Sequence, residues 1–167
     1  MLFTCTHCGK EHESWPALAY PTPLSYAQLT DAEKENAEVT SDFCAIIQPD
    51  QTYYFIRVVL IQTVVDACQD LDYGVWVSVS EKSFKEYYEN FDNKSFKATY
   101  FGWLNNHIAP YDFDTCIQIG TNVEVDNEKG RPFIYLHQKE GNELLNDFYQ
   151  GITEKEALAR INATLKK

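Results

Sequence analysis

Two cysteines and a histidine near the start of this chain have the spacing of a zinc knuckle. Two residues separate Cys5 from Cys8, Gly9 permits a tight turn after them, and His12 follows four residues after Cys8. Two thiolates and an imidazole at this spacing can wrap one tetrahedral Zn²⁺ ion. The spacing favours this interpretation over two free thiols in a turn, so the sequence predicts a metal site.

The fourth ligand decides whether such an ion is structural or open to chemistry. We expect Cys44 to supply it, because Cys44 begins a predicted strand that can pass beside the N-terminus. Burial of Cys44 as an ordinary core cysteine is the alternative. His7 is expected to point away from the ion. Cys68 and Cys116 have no partner at metal spacing, and we expect them to be core or surface thiols.

A site with only three protein ligands would bind water and could support hydrolysis if a general base lay within reach. Glu11 and Glu13 neighbour the knuckle and are the candidate bases. Acidic residues are common beside zinc sites, so we expect a structural ion. A third interpretation is a redox switch in which Cys5 and Cys8 release the ion on oxidation.

Other residues whose side chains could take part in chemistry or binding are expected to have structural roles. Arg57 interrupts an apolar run and is expected to form an internal ion pair. Trp76, Phe101 and Trp103 lie close to glycines and could line a groove, but we expect them to pack the core. The sequence contains no phosphate loop, dinucleotide fingerprint, nucleophile elbow or helical metalloprotease motif.

The elements that must position these residues are strands in the middle of the chain and helices towards its edges. Helices are expected from Thr30 to near Val39, from Ser80 to about Phe91, over 142–150, and after the cap at Thr153. Strands are expected over 43–48, 52–60, 73–79, 100–104, 115–126 and 133–137. The arrangement predicts an α+β fold in which helices cover an antiparallel sheet, with an N-terminal zinc knuckle.

Length and composition fit one domain. The chain has 167 residues, of which 44% are hydrophobic and 14% aromatic, which is enough to fill a single core. Within one domain spanning 1–167 we distinguish the knuckle (1–14), an arm with three prolines (15–29) and the α+β body (30–167).

Charge and hydropathy restrict the partners. The net charge is −11, from 14 Lys and Arg against 25 Asp and Glu. We therefore expect no nucleic-acid partner, and a basic protein is the favoured partner. The alternative is that the acidic surface only keeps the protein soluble. The longest apolar run, 53–65, is too short to span a bilayer. With no secretory signal after Met1, we expect a cytoplasmic protein with no membrane partner and no disulfides. No feature of the sequence sets the oligomeric state.

Several short motifs are similar to those of one bacterial family, the domain of unknown function 2199. The resemblance covers nearly the whole chain. It rests on Cys5-x-x-Cys8-Gly9-x-x-His12, Asp42-x-Cys44, Phe55-Ile56-Arg57, Trp76-Val77-Ser78-Val79-Ser80-Glu81, Phe101-Gly102-Trp103-Leu104, Arg131-Pro132 and Gly151-Ile152-Thr153.

The resemblance implies no activity, but its Asp-x-Cys match favours Cys44 as a ligand. The family pattern has a glycine where this chain has Val58, and a histidine-proline pair where it has Asn142-Glu143. A catalytic histidine at that place would be missing here.

We therefore expect a non-enzymatic binding protein whose N-terminus is fixed by structural zinc through Cys5, Cys8, His12 and Cys44. A small acidic domain without catalytic motifs suits a bacterial immunity protein that blocks a basic toxin domain. Charge steering would speed the capture of such a partner. The zinc hydrolase and the redox switch are the alternatives.

Overall fold

The computed structural model describes residues 1–4 and 8–165, with only the backbone of residue 165. The strands in this part of the chain are β1 (Leu2–Thr4), β2 (Glu11–Glu13), β3 (Leu18–Ala19), β4 (Ala37–Val39), β5 (Phe43–Ile47), β6 (Thr52–Gln62), β7 (Leu71–Val79), β8 (Lys97–Leu104), β9 (Gly120–Asp126) and β10 (Phe133–Leu136). The helices are α1 (Leu24–Ala27), α2 (Asp31–Lys34), α3 (Glu81–Glu89), α4 (Phe113–Cys116), α5 (Glu143–Gln150) and α6 (Glu154–Leu165).

Five consecutive strands, β6 to β10, close into a barrel. Each pairs antiparallel with the next, and β10 returns to pair in parallel with β6 through Phe133 and Val59. The α+β class is confirmed, but the simple sheet covered by helices is wrong. The reason is the length of β6: β5 pairs only with its first half, up to Ile56, and this leaves the edge around Val59 open to β10.

Shorter strands extend the barrel on two sides. β4 and β5 continue the sheet antiparallel from β6, and β3 pairs in parallel with β7 beside Tyr73 and Gly74. β1 and β2 form a separate antiparallel pair at the N-terminus. The predicted division of the chain into knuckle, arm and body stays a prediction.

Side chains alternate between the two faces of each strand, and the apolar ones form two separate clusters. The barrel core includes the buried residues Ile56, Val58, Leu60, Val75, Val77, Val123 and Ile134. Cys44, Ile46, Phe55 and Trp76 form a second cluster, packed against Tyr20 and Tyr26 from the arm. Because successive strand residues face opposite ways, Phe55 and Trp76 lie on the outer side of the barrel wall.

The predicted helix caps form, although some boundaries move. Thr30 makes the complete capping box with Glu33, but α2 ends at Lys34 because 37–39 pair as β4. Ser80 caps α3 as expected. The strand expected over 115–126 begins only at Gly120, since Phe113–Cys116 form a helical turn.

The C-terminal helices are attached to the barrel by a buried arginine. Arg160 forms ion pairs of 2.9 Å with both Asp147 and Glu156, and its Nη1 donates to the Tyr73 hydroxyl at 3.2 Å. No helix in the described ranges is long and apolar enough to cross a membrane.

Arg57 differs from its predicted role. Among the described residues, Arg57 forms no ion pair. The nearby carboxylate of Asp42 is instead bound by Arg131, with 2.7 Å between Arg131 Nε and Asp42 Oδ1. Arg57 donates from Nη1 to the Ser41 carbonyl at 3.5 Å and lies over the Trp76 ring. A carbonyl and an aromatic face therefore take the place of the expected ion-pair partner, while burial and the nearby charge of Arg131 lower the pKa of the Arg57 guanidinium.

Candidate metal centre

The N-terminal strand pair holds the knuckle histidine in place. Phe3 of β1 pairs with His12 of β2, and their ring centroids lie 5.8 Å apart. Ser14 closes the pair by donating from its amide to the Met1 carbonyl at 2.8 Å. The imidazole is thus fixed on one side of a two-stranded ribbon.

Three potential metal ligands converge beside this ribbon. The Cys8 Sγ atom lies 3.1 Å from His12 Nε2 and 3.4 Å from the Sγ atom of Cys68. All three ligand atoms lie within 4.8 Å of one another. Cys68 belongs to the loop between β6 and β7, so the cluster joins the N-terminal ribbon to the barrel.

The donor set and its spacing fit Zn²⁺. A tetrahedral ion with Zn–S bonds of about 2.3 Å and Zn–N bonds of about 2.0 Å holds neighbouring ligand atoms roughly 3.5–3.8 Å apart. The observed separations of 3.1 and 3.4 Å are slightly shorter, so small side-chain movements would admit the ion. Thiolates and imidazole are also the ligands that zinc prefers.

Gln69, which follows Cys68 in the chain, links the β6–β7 loop to the end of the N-terminal ribbon by two hydrogen bonds. Gln69 donates from Nε2 to the Glu13 carbonyl at 3.0 Å, and its Oε1 accepts the amide of Trp15 at 2.9 Å. Residues 13–15 are therefore already bound to the β6–β7 loop beside Cys68. This contact preorganises the cluster, because a metal ion would not have to bring distant segments together.

The structure places the predicted metal ligands in different surroundings. The structure brings Cys8 and His12 together. Cys5 and His7 lie outside the described residues. Cys44 is not a member of the cluster: it is fully buried with Ile46, Phe55 and Trp76.

Cys44 therefore corresponds to the alternative of an ordinary core cysteine. Its apolar surroundings raise the pKa of its thiol to about 12, because burial disfavours the charged thiolate that would bind a metal.

The third member of the cluster, Cys68, was missed by the sequence interpretation. It has no metal-binding residue at knuckle spacing, and its position depends on which loop of the barrel faces the N-terminus. The available signal was its location in the segment 61–72 between the strands predicted over 52–60 and 73–79, where a cysteine can lie at the protein surface.

The candidate bases of the hydrolase interpretation are poorly oriented. Glu11 and Glu13 flank His12 in β2, and both are exposed whereas His12 is half-buried. Adjacent residues of a strand point to opposite faces, so the two carboxylates face away from the His12 side of the ribbon.

Fold and site together define an α+β protein built on a five-stranded barrel, with a Cys–His cluster that could hold a metal ion. A family model described as "Uncharacterized protein conserved in bacteria (DUF2199)" matches residues 4–152. The chain belongs to this family, as its motifs predicted. Neither the curated proteins nor the solved structures contained a match.

Proposed function

We propose that this chain is a non-enzymatic binding protein whose N-terminal ribbon is fixed to the barrel by a structural Zn²⁺ ion. The supporting observation is the convergence of Cys8, His12 and Cys68 from two distant segments. Cys5, three positions before Cys8, is the proposed fourth ligand on the basis of its sequence spacing alone.

A structural role is favoured over hydrolysis by the surroundings of the cluster. Four protein ligands would close the coordination sphere and leave no position for water. The orientation of Glu11 and Glu13 gives a metal-bound water no obvious base. The ion would then stabilise the fold, as it does in other small Cys–His sites.

The proposed partner is a basic protein, and the proposed role is that of an immunity protein that blocks a toxin domain. The net charge of −11 supports a basic partner, because complementary charge accelerates encounter and disfavours acidic competitors. Binding would be tested by mixing the purified protein with the product of its neighbouring gene. A stable complex in size-exclusion chromatography is expected, and elution of two separate species would contradict this role.

The metal is tested by elemental analysis of protein purified without chelator. We expect one zinc per chain, and X-ray absorption should show only sulfur and nitrogen neighbours. Absence of zinc would overturn the proposal. An oxygen ligand would favour the hydrolase, and release of zinc by dilute peroxide would favour the redox switch.

A further inference from the structure

The outer side of β8, β9 and β10 carries an unusual set of exposed aromatic residues. The strands are in register, with Phe101 opposite Asn122 and Asn122 opposite Tyr135. Phe101 and Trp103 alternate in β8 with residues that face the barrel interior. We call the four ring-bearing residues on this side, Phe101, Trp103, Tyr135 and His137, the aromatic face.

This face is open to solvent. Phe101, Trp103 and Tyr135 expose 49%, 48% and 57% of their surfaces. In contrast, the inward-facing Tyr100 and Leu104 of the same strand β8 are buried. Neighbouring exposed aromatics on one surface are typical of interaction sites, because such an apolar area is costly to leave in water.

Three of the four rings, those of Phe101, Trp103 and His137, pack against one another. Phe101 lies edge-to-face with Trp103, with 5.1 Å between ring centroids, and 5.6 Å from His137. His137 Nε2 is hydrogen bonded to Asn122 Oδ1 at 2.8 Å. A Cβ at Gly120 would lie only 3.0 Å from His137 Nδ1 and 3.2 Å from the Phe101 ring, so these two side chains fill the space above the glycine. A preorganised face loses little side-chain entropy on binding.

Charged groups of both signs lie beside the aromatic face, where the carboxylates of Glu124 and Asp126 and the ammonium groups of Lys97 and Lys129 share one hollow with Tyr135. Glu124 lies next to Asn122 on the same side of β9 and accepts a hydrogen bond of 2.8 Å from the Thr99 hydroxyl. Within the described chain, Glu124 forms no ion pair, whereas the neighbouring Asp126 is bound by Lys97 and Lys129. Aromatic rings and an unpaired carboxylate together attract a cation.

From this geometry we propose that the aromatic face binds an arginine- or lysine-bearing segment of a protein partner. The cationic side chain would stack on the rings of Phe101, Trp103 or Tyr135 and pair with Glu124. The net charge of −11 opposes nucleic acid as the occupant and also opposes a second copy of this chain. The inference rests on the proposed binding function and locates the surface that performs it.

The test is a titration of the full-length, metal-loaded protein with a short oligo-arginine peptide, followed by ¹⁵N–¹H NMR. We expect the largest shift changes in β8–β10. Trp103→Ala and Glu124→Gln should each weaken binding by about tenfold, as expected for loss of one desolvated cation–π or charged contact. Tyr53→Ala and Glu38→Gln are matched controls, since both residues are exposed and lie on other strands.

Equal weakening by the test and control variants, or shift changes spread over all acidic surfaces, would overturn the inference. So would binding of a neutral oligosaccharide to the face in the absence of peptide binding. A protein partner that binds wild type and Trp103→Ala equally would contradict this surface while leaving the proposed binding function intact. Zinc content measured on the same samples tests the metal separately.

Discussion

The sulfur atoms of Cys8 and Cys68 lie 3.4 Å apart although 60 positions separate the two residues in the chain. This contact joins the N-terminal ribbon to the β6–β7 loop. The same loop reaches the C-terminal part, since Asp66 accepts the amide of Glu154, the first residue of α6, at 2.6 Å. One short loop therefore contacts both the N-terminal ribbon and the start of α6.

Replacing Cys68 should remove the metal while leaving the barrel folded. Cys68→Ser lacks one thiolate of the cluster, and we expect zinc affinity to fall by at least about 100-fold, since a lost ligand costs more than a lost outer contact. Zinc competition with a chromophoric chelator measures this. Cys116→Ser and Cys44→Ser are the controls, because both cysteines are buried elsewhere. Full zinc affinity in Cys68→Ser would contradict the proposed ligand set.

The sequence could indicate only the local half of this cluster. Cys8 and His12 are close in sequence, so their spacing alone suggested a shared ion. Cys68 reaches them only because β6 pairs with the whole of β7, from Tyr54 with Val79 to Gln62 with Leu71, and this places their connecting loop beside the ribbon. Such long-range pairing leaves no signal in the spacing of cysteines.

Two further differences between the prediction and the structure, at Cys44 and Trp103, depend on whether the outer face of a strand is covered. The strand beginning at Phe43 was predicted correctly, but both of its faces are covered: Phe43 packs into the barrel core and Cys44 into the second cluster. A sequence pattern cannot distinguish a buried outer face from a surface one. For the same reason Trp76 is core, as expected, whereas Trp103 is half-exposed.

Acid should weaken the fold partly through Asp42. Burial alone would raise the pKa of this carboxyl, but hydrogen bonds from Arg131 and Ser41 and the nearby arginine charges outweigh it and lower the pKa. A carboxyl whose pKa is lower in the folded state than in the unfolded state contributes its full stabilisation at pH values above the unfolded-state pKa, which is about 4. This contribution is lost as the pH falls through the lower folded-state pKa.

Urea unfolding between about pH 6 and pH 3 tests this, because this interval spans the titration of carboxyl groups. Stability should decline less steeply with acid in Asp42→Asn than in wild type. Asp50→Asn, in the exposed turn after β5, is the control for the loss of one carboxylate charge. Wild type and Asp42→Asn share all their other titratable groups, so the difference between their slopes reports on Asp42. Equal slopes in wild type and Asp42→Asn would contradict the prediction.

Gly151, between α5 and α6, should be among the positions least tolerant of a side chain. Its φ is +84°, and a Cβ there would lie 2.5 Å from Val65 Cγ1 and 3.2 Å from the Thr63 carbonyl oxygen. The adjacent Ile152 is hydrogen bonded to both Thr63 and Val65, so the loop cannot easily withdraw. We expect Gly151→Ala to lower the free energy of unfolding by about 3 kcal/mol, from backbone strain and the clash together.

Gly141→Ala separates these two causes. Gly141 also has a positive φ, +69°, but a Cβ there meets nothing within 4 Å, so its loss should be only about 1 kcal/mol. Urea unfolding of both variants measures the difference. Because Cys68 follows Val65 on the displaced loop, Gly151→Ala should also weaken zinc binding whereas Gly141→Ala should not. Equal destabilisation by the two substitutions would show that the β6–β7 loop yields freely, and would remove it as the rigid support of the metal cluster.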